Sequence, residues 1–442
     1  MAKKPFNEVY ECDSVTMNVT NACNLTCSYC YEKDKDSRMM TPAEAVAILD
    51  AVYRRPASGD FMVNIFGGEP LLAWETIATL ARHIRERGYQ AKLGITTNLT
   101  LLTEAMIDAI EEYEIALLVS LDGVKEVHDR GRSGSYDIVV GNLKRLLKRR
   151  LHYLVQVRMT VTPDGVDRLF DGVKSLVDLG VDNVAPCLVT DQEWSAAQLD
   201  ELKSQAGQLY DWFLAIAGDP DNKRNIAVKL VDDYMLAVLS PVLIERQMCG
   251  IGTKRWCTVG PGGDILPCHQ QHTNLTVYAA QRIGNLFGEV DEAKVTDAAR
   301  PRRLKEECRS CDGVNVCRGG CPSENLLQRG DFFTPTAAHC ATVKVLTKVA
   351  HARQQAVMAA GNLRPRLLNL LKTNLRLKAY FDEVVARTDI ADFDFPVILA
   401  AFAQRLAENK GLILPAFAEY YRVSLRPLEM LLGGMPSADT GQ

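Results

Sequence analysis

Eleven of the thirteen cysteines in this chain of 442 residues fall into two groups, three between Cys23 and Cys30 and eight between Cys249 and Cys340. The first group, Cys23-Asn24-Leu25-Thr26-Cys27-Ser28-Tyr29-Cys30, has C-x3-C-x2-C spacing and follows a strand-like run at 15–20. Three thiolates on one short loop suit a cubane iron–sulfur cluster, which usually takes four cysteines. With three protein ligands one iron keeps an open position, and an open position separates a metal that does chemistry from one that holds a fold. The competing reading is structural zinc. Zinc wants four ligands in a tetrahedron, and no further Cys or His lies between Cys30 and His83.

The second group reads C-x13-G-x4-C from Cys249 through Gly263 to Cys268, then C-x2-C-x5-C-x3-C at Cys308, Cys311, Cys317 and Cys321, then Cys340, with Cys257 as an extra member. A zinc ribbon would account for Cys308 to Cys321, though not for the other four cysteines together with the triplet upstream. His269 directly follows Cys268. A histidine can accept a proton near neutral pH, and the plain alternative is that His269 and His272 are ordinary loop histidines.

These residues need elements to carry them. Strand-like runs at 15–20, 61–66, 91–96, 115–121, 153–162 and 182–189 alternate with helical patterns at 41–55, 73–88, 103–113, 136–150 and 163–180. Thr41-Pro42-Ala43-Glu44 reads as an N-cap, a Pro at N1 and a Glu at N3. Such alternation implies parallel βαβ units. The polar motifs sit at strand C-termini, where barrels of this kind do their chemistry. Phe66-Gly67-Gly68-Glu69-Pro70 closes the second run, Thr96-Thr97-Asn98 the third and Ser120-Leu121-Asp122-Gly123 the fourth, followed by His128-Asp129-Arg130-Gly131-Arg132. Each could be a simple polar turn. Paired glycines at 67 and 68 would also let the backbone approach a ligand closely.

Composition bounds the rest. Hydrophobic residues make up 47% and charged residues 24%, and the net charge is 51 − 55 = −4. Nothing there calls for nucleic acid or an anionic membrane. Residues 1–10 lack an apolar signal core, and no run reaches the ~18 apolar residues of a membrane span. The expected location is a reducing cytoplasm, where clustered cysteines read as metal ligands. Cys12 reads as structural and Cys187 as a core thiol at the end of the sixth strand, with the alternative that it faces the site. The basic residues Lys144, Arg145, Lys148, Arg149 and Arg150 end a helix, which suits its dipole; an acidic peptide could use them too.

The cysteine triplet, with the GGEP-type turn behind it, resembles radical S-adenosylmethionine (SAM) enzymes. The second group resembles the SPASM domain of radical SAM peptide maturases. The resemblance implies an α/β fold: a partial (β/α)6 TIM-like barrel over 1–192, a helical bridge over 193–248, a SPASM domain over 249–342 and a helical C-terminal extension over 343–442. Helices are expected there at 343–360, 364–387, 396–410 and 415–432. It implies three 4Fe–4S clusters and SAM. Cys23, Cys27 and Cys30 would hold the SAM-binding cluster. Cys249, Cys257, Cys268 and Cys321 would hold the first auxiliary cluster, Cys257 being its least required member, and Cys308, Cys311, Cys317 and Cys340 the second. If Cys257 does not ligate, the first auxiliary cluster has an open iron.

By the same resemblance Tyr31 lies beside the adenine. Gly67, Gly68, Glu69, Pro70, Thr97, Asn98, Ser120 and Asp122 position SAM, Arg132 meets its carboxylate, and His269 stands where sulfatase-maturing members carry a catalytic Asp. That departure argues against sulfatase maturation. The implied activity is hydrogen abstraction from a residue of a ribosomally made precursor peptide, giving a crosslink, an epimer or a backbone or tyramine excision. Maturation of a protein substrate, a sulfatase or a quinoprotein subunit, and a non-catalytic zinc-stabilised peptide-binding module are the alternatives. The implied partners are the precursor peptide and an electron donor such as ferredoxin or flavodoxin. Because the barrel starts at Val15, a separate small leader-recognition protein is also expected.

Overall fold

The computed structural model describes residues 3–353, except 33–34, 57–59, 220, 223, 225, 240–248, 273–277 and 300–305. The helices expected at 364–432 lie outside the described residues. Twelve strands form one sheet: β1 (Lys3–Pro5), β2 (Ser14–Thr20), β3 (Phe61–Gly67), β4 (Ala91–Thr97), β5 (Ala116–Ser120), β6 (Val155–Val161), β7 (Asn183–Leu188), β8 (Ala227–Val228), β9 (Trp256–Val259), β10 (Asp264–Leu266), β11 (Gly284–Asn285) and β12 (Glu289–Asp291).

Strands β2 to β8 lie side by side in chain order, every neighbouring pair parallel. β2 to β7 are the six expected strands and make the partial (β/α)6 barrel. Their alternation explains why. Val15, Met17 and Val19, Val63 and Ile65, Leu117 and Val119, and Val157 and Met159 are all buried in one hydrophobic core. Helices from the same chain segments cover that face, among them Pro42–Val52, started by the Thr41–Glu44 capping box, and Trp74–Arg87, ended by left-handed Gly88. Side chains of opposite parity line the other, inner face. Register runs Asn18 to Phe66, Thr96 to Leu118, Ser120 to Arg158 and Thr160 to Cys187. Polar residues are therefore gathered inside the barrel by the period of two alone.

The barrel sheet does not stop at its expected borders. β9, from the cysteine-rich part, pairs in parallel with β2, with Val15 opposite Cys257. β10, β11, β12 and then β1 follow in antiparallel order, so residues 3–5 pair with 289–291. A division at 192 and 249 thus cuts through a continuous sheet. At the other edge β8 extends β7, and the helix Lys229–Leu239 follows where one helix was expected from 226. The helix Ala196–Gly218, with a Ser195–Gln198 capping box, packs against Ala337–Ala352. The basic helix end is partly neutralised: Arg145 pairs with Glu104 at 2.7 Å and Arg149 with Asp108 at 2.9 Å. Those arginines fasten neighbouring helices.

Candidate active site

The cysteine loop leaves the C-terminal end of β2 and is pinned by the loops that follow the next strands. Asn24 Nδ2 donates to Thr100 Oγ1 at 2.8 Å, Asn98 Nδ2 to Asn24 Oδ1 at 3.0 Å, Thr26 N to Ser133 Oγ at 3.2 Å and Ser28 N to Gly131 O at 3.0 Å. Lys35 Nζ closes the loop on Leu25 O at 2.9 Å. The three thiols are free and half-buried. Burial raises the pKa of Cys23 and Cys30; Lys35 pulls both down, and the Cys27 charge pushes both up. Three soft donors thus share a loop held on several sides, with a lysine nearby to offset negative charge. This donor set fits a three-cysteine iron–sulfur site.

Behind it the glycine pair does what its lack of a side chain allows. A Cβ on Gly67 would overlap the Thr20 backbone, and one on Gly68 the backbone of Asn21 and Ala22; Gly67 also has φ +144°. The end of β3 therefore presses against the chain just before Cys23. Glu69 is fully buried, and its carboxylate accepts from Leu71 N at 3.0 Å, Thr97 Oγ1 at 2.6 Å and Asn98 N at 2.7 Å. Burial raises its pKa while those donors lower it. The Glu69 and Thr97 side chains are engaged with each other rather than open to a ligand. They set the turn that carries Asn98, and Pro70 opens the short helical turn Pro70–Ala73 beyond.

Asp122 and Arg132, both expected to meet SAM, pair with each other. Arg132 Nε donates to Asp122 Oδ2 at 2.8 Å and its Nη2 to Oδ1 at 3.2 Å. Asp122 also accepts from Tyr29 and from Thr160 N at 2.8 Å, and Arg132 lies over the Tyr29 ring. A buried carboxylate and guanidinium so close satisfy each other. The pair fixes the Tyr29 side of the cysteine loop and leaves Arg132 closed to an incoming carboxylate. Ser120 stays half-buried on the inner face of β5.

His269 comes to this site from the cysteine-rich part. Its ring lies 4.1 Å from that of Phe66 and 6.4 Å from that of Tyr31. Burial, then the charge of Arg158, drop its pKa to about 4, so it is neutral at pH 7. Sequence reasoning passed over two residues here. Glu32 is buried next to Tyr31, and burial lifts its carboxyl to about 7. Arg158 is exposed on the inner face of β6. The period-two rhythm of Gln156, Arg158 and Thr160 between valines and methionine was the signal that could have found it.

The second group separates into two sets. The charge of Cys249 bears on both Cys268 and Cys321, that of Cys268 bears on Cys321, and Glu324 acts on both Cys268 and Cys321. Cys308, Cys317 and Cys340 interact in the same way, with Cys311 acting on Cys340. Burial pushes Cys268 and Cys317 up to about 11 and Cys321 to about 12. A metal binding there must displace protons. Cys257, expected as the least required member of the first set, has Cys12 as its thiol neighbour. It lies inside β9 with its Sγ 3.6 Å from that of Cys12, both thiols buried. The strand period turns Cys257 into the core beside Cys12. Among the described residues no three Cys, His, Asp or Glu side chains close on a point as tightly as a single ion requires.

Residues 17–183 match the family model of the radical SAM superfamily. This chain carries a radical SAM domain. Two relatives extend the match beyond that domain. The mycofactocin maturase MftC of Mycolicibacterium smegmatis is 26% identical over 329 residues, 70% of this chain and 77% of the relative. The radical SAM cyclopropyl synthase TigE of Paramaledivibacter caminithermalis is 26% identical over 364 residues, 76% and 73%. Among solved structures, anSMEcpe with bound AdoMet superposes with a TM-score of 0.63 at 19% identity, covering 78% of this chain and 94% of that one. The radical SAM family implies a 4Fe–4S cluster and SAM, and the thiols, glycine cradle and polar inner face of this chain suit both. No helix among the described residues is long and apolar enough to cross a membrane.

Proposed function

We propose that this protein is a radical SAM peptide maturase of the SPASM type. It abstracts a hydrogen atom from a residue of a ribosomally made precursor peptide, and the product is a crosslink, an epimer or a backbone or tyramine excision. The observation that carries the reading is that Tyr31, directly after Cys30, lies against the ring of His269 and within reach of the charge of Cys268, with Phe66 on the other side of His269. Cys23, Cys27 and Cys30 would hold the cluster, which with SAM would supply the radical chemistry that removes a substrate hydrogen.

The chain's own residues do the rest. Gly67 and Gly68 let the backbone close on the ligand, and Glu69 holds Asn98 in place. Phe66 and Tyr31 wall the mouth against water. His269, neutral and with Nδ1 3.9 Å from Cys268 Sγ, can take a proton released when a substrate radical is oxidised. The two cysteine sets would each hold an auxiliary cluster that accepts the second electron. The proposed domain limits are 1–192, 193–248, 249–342 and 343–442, continuous through the shared sheet. A ferredoxin or flavodoxin would supply the first electron, and a separate small protein would present the peptide leader in the cytoplasm. The relatives' names, a maturase and a cyclopropyl synthase, support the class without choosing the product.

The test is anaerobic. The reconstituted protein receives SAM and dithionite, and 5′-deoxyadenosine is measured by mass spectrometry beside a variant with Cys23, Cys27 and Cys30 all changed to Ala. Nucleoside from the parent alone supports the reading. A fully iron-loaded parent that forms none, with or without candidate precursor peptide, overturns it.

A further inference from the structure

We infer that Lys35 sets the reduction potential of the cluster held by Cys23, Cys27 and Cys30, as a positioning charge anchored on the cysteine loop. The inference rests on those three cysteines binding a cluster, and it names what makes that cluster reducible. Lys35 lies outside the cysteine motif in sequence, yet its side chain turns back onto the motif: Nζ donates to Leu25 O at 2.9 Å. Leu25 stands midway between Cys23 and Cys27, and its own N–H donates to Cys23 Sγ at 3.5 Å. The ammonium is thus clasped to the residue whose amide meets the first thiol. An ammonium has three donors; Leu25 O takes one, and among the described residues no other acceptor is bonded to it.

Charge decides what that clasp does. The Lys35 charge reaches both Cys23 and Cys30. Besides the thiols themselves, the other charges that reach these two are carboxylates, Glu69 at Cys23 and Glu32 at Cys30, and both are buried. Arg132, the cation on the Cys27 side, is closed in its two-bond pair with Asp122 and adds no net charge. Lys35 is bonded to no carboxylate among the described residues. Without it the loop would sit between two buried carboxylates and a neutral pair. Reduction adds an electron to a site already made negative by its thiolates, and local net charge and hydrogen bonds to sulfur set how unfavourable that is. Lys35 is half-buried, so water screens it only in part. The step it eases is a one-electron transfer from a reduced donor, which is thereby oxidised, to the cluster; no bond forms or breaks in it.

Two substitutions separate the charge from the clasp. Lys35→Gln keeps an N–H donor for Leu25 O and removes the charge; Lys35→Arg keeps both. The anaerobically reconstituted full chain is titrated with dithionite in the presence of redox mediators, and the reduced clusters are followed by electron paramagnetic resonance. A parallel sample frozen with SAM identifies the signal of the cluster with the open iron, because that signal changes when SAM binds. Lys35→Gln should make reduction of this cluster about ten-fold less favourable, a shift of about 59 mV to lower potential for one electron. Lys35→Arg should stay near the parent. Signals that do not respond to SAM should keep their midpoints in both variants.

A SAM-responsive signal with the same midpoint in the parent and in Lys35→Gln overturns the inference. An equal downward shift in both variants overturns it too, because the effect would then follow the shape of the lysine and not its charge. Loss of iron from Lys35→Gln also overturns it and leaves Lys35 a structural clasp. Absence of any SAM-responsive signal from the iron-loaded parent is a separate result, which removes the three-cysteine reading itself.

Discussion

At the scale of single residues, the buried polar groups of the site act mostly on one another. His128 is fully buried; its Nδ1 accepts from Asp122 N at 3.2 Å and its Nε2 meets Ser135 Oγ at 3.0 Å. Burial lowers its pKa from 6.5 to about 4. Between those values the unfolded chain binds a proton that the folded chain refuses. Stability is therefore complete above pH 6.5 and declines as pH falls toward 4, by up to about 3 kcal/mol for this one group. Thermal unfolding at pH 7 and pH 5 should show that slope, and His128→Gln should flatten it. An unchanged slope would remove His128 as its source. Glu69 is a second case. Glu69→Ala leaves the Leu71 and Asn98 amides without their acceptor, at about 1–3 kcal/mol for each amide left unsatisfied. The expected result is a lower melting temperature together with weaker SAM binding by equilibrium dialysis. Weaker SAM binding with an unchanged melting temperature would instead mean direct contact with the ligand.

At the scale of elements, strands aim the chemistry and loops deliver it. The parity of β2 to β7 sends apolar side chains to the helices and polar ones inward, and this much was legible as alternation in the sequence. What the alternation could not show is how close the ends come. Gly68 touches the Ala22 backbone across the gap from β3 to the cysteine loop, a contact between segments far apart in sequence. Gly68→Ala should push that loop outward. Iron retained after reconstitution of a protein whose auxiliary cysteines have been changed to Ala should fall several-fold, while far-ultraviolet circular dichroism stays as in the parent background. Full iron retention would mean that the loop has room to move. The Asp122–Arg132 pair taught the same lesson. Each residue read as a ligand contact from its motif, and only their meeting at 2.8 Å shows that they satisfy each other.

At the scale of the whole molecule, the barrel and the cysteine-rich part share one sheet, because β9 adds to the open edge of β2 and the N-terminal β1 pairs with β12. That junction brings His269 over Phe66 and sets Cys257 against Cys12. Iron analysis reads it directly. The parent should carry about twelve irons if three four-iron clusters load. Cys257→Ser should keep them all, and Cys268→Ser should lose about four, the content of one cluster. Loss of iron from Cys257→Ser would return that cysteine to the ligand set. The sequence alone determined the kind of donor, the order and parity of the parallel strands, and the loops at their C-terminal ends, because those follow from local spacing and period. Tertiary structure alone decided which buried charges pair and which cysteine turns into the core. Those outcomes depend on contacts between residues far apart in the chain, where burial leaves a charged or polar group to be met by a partner or by a ligand.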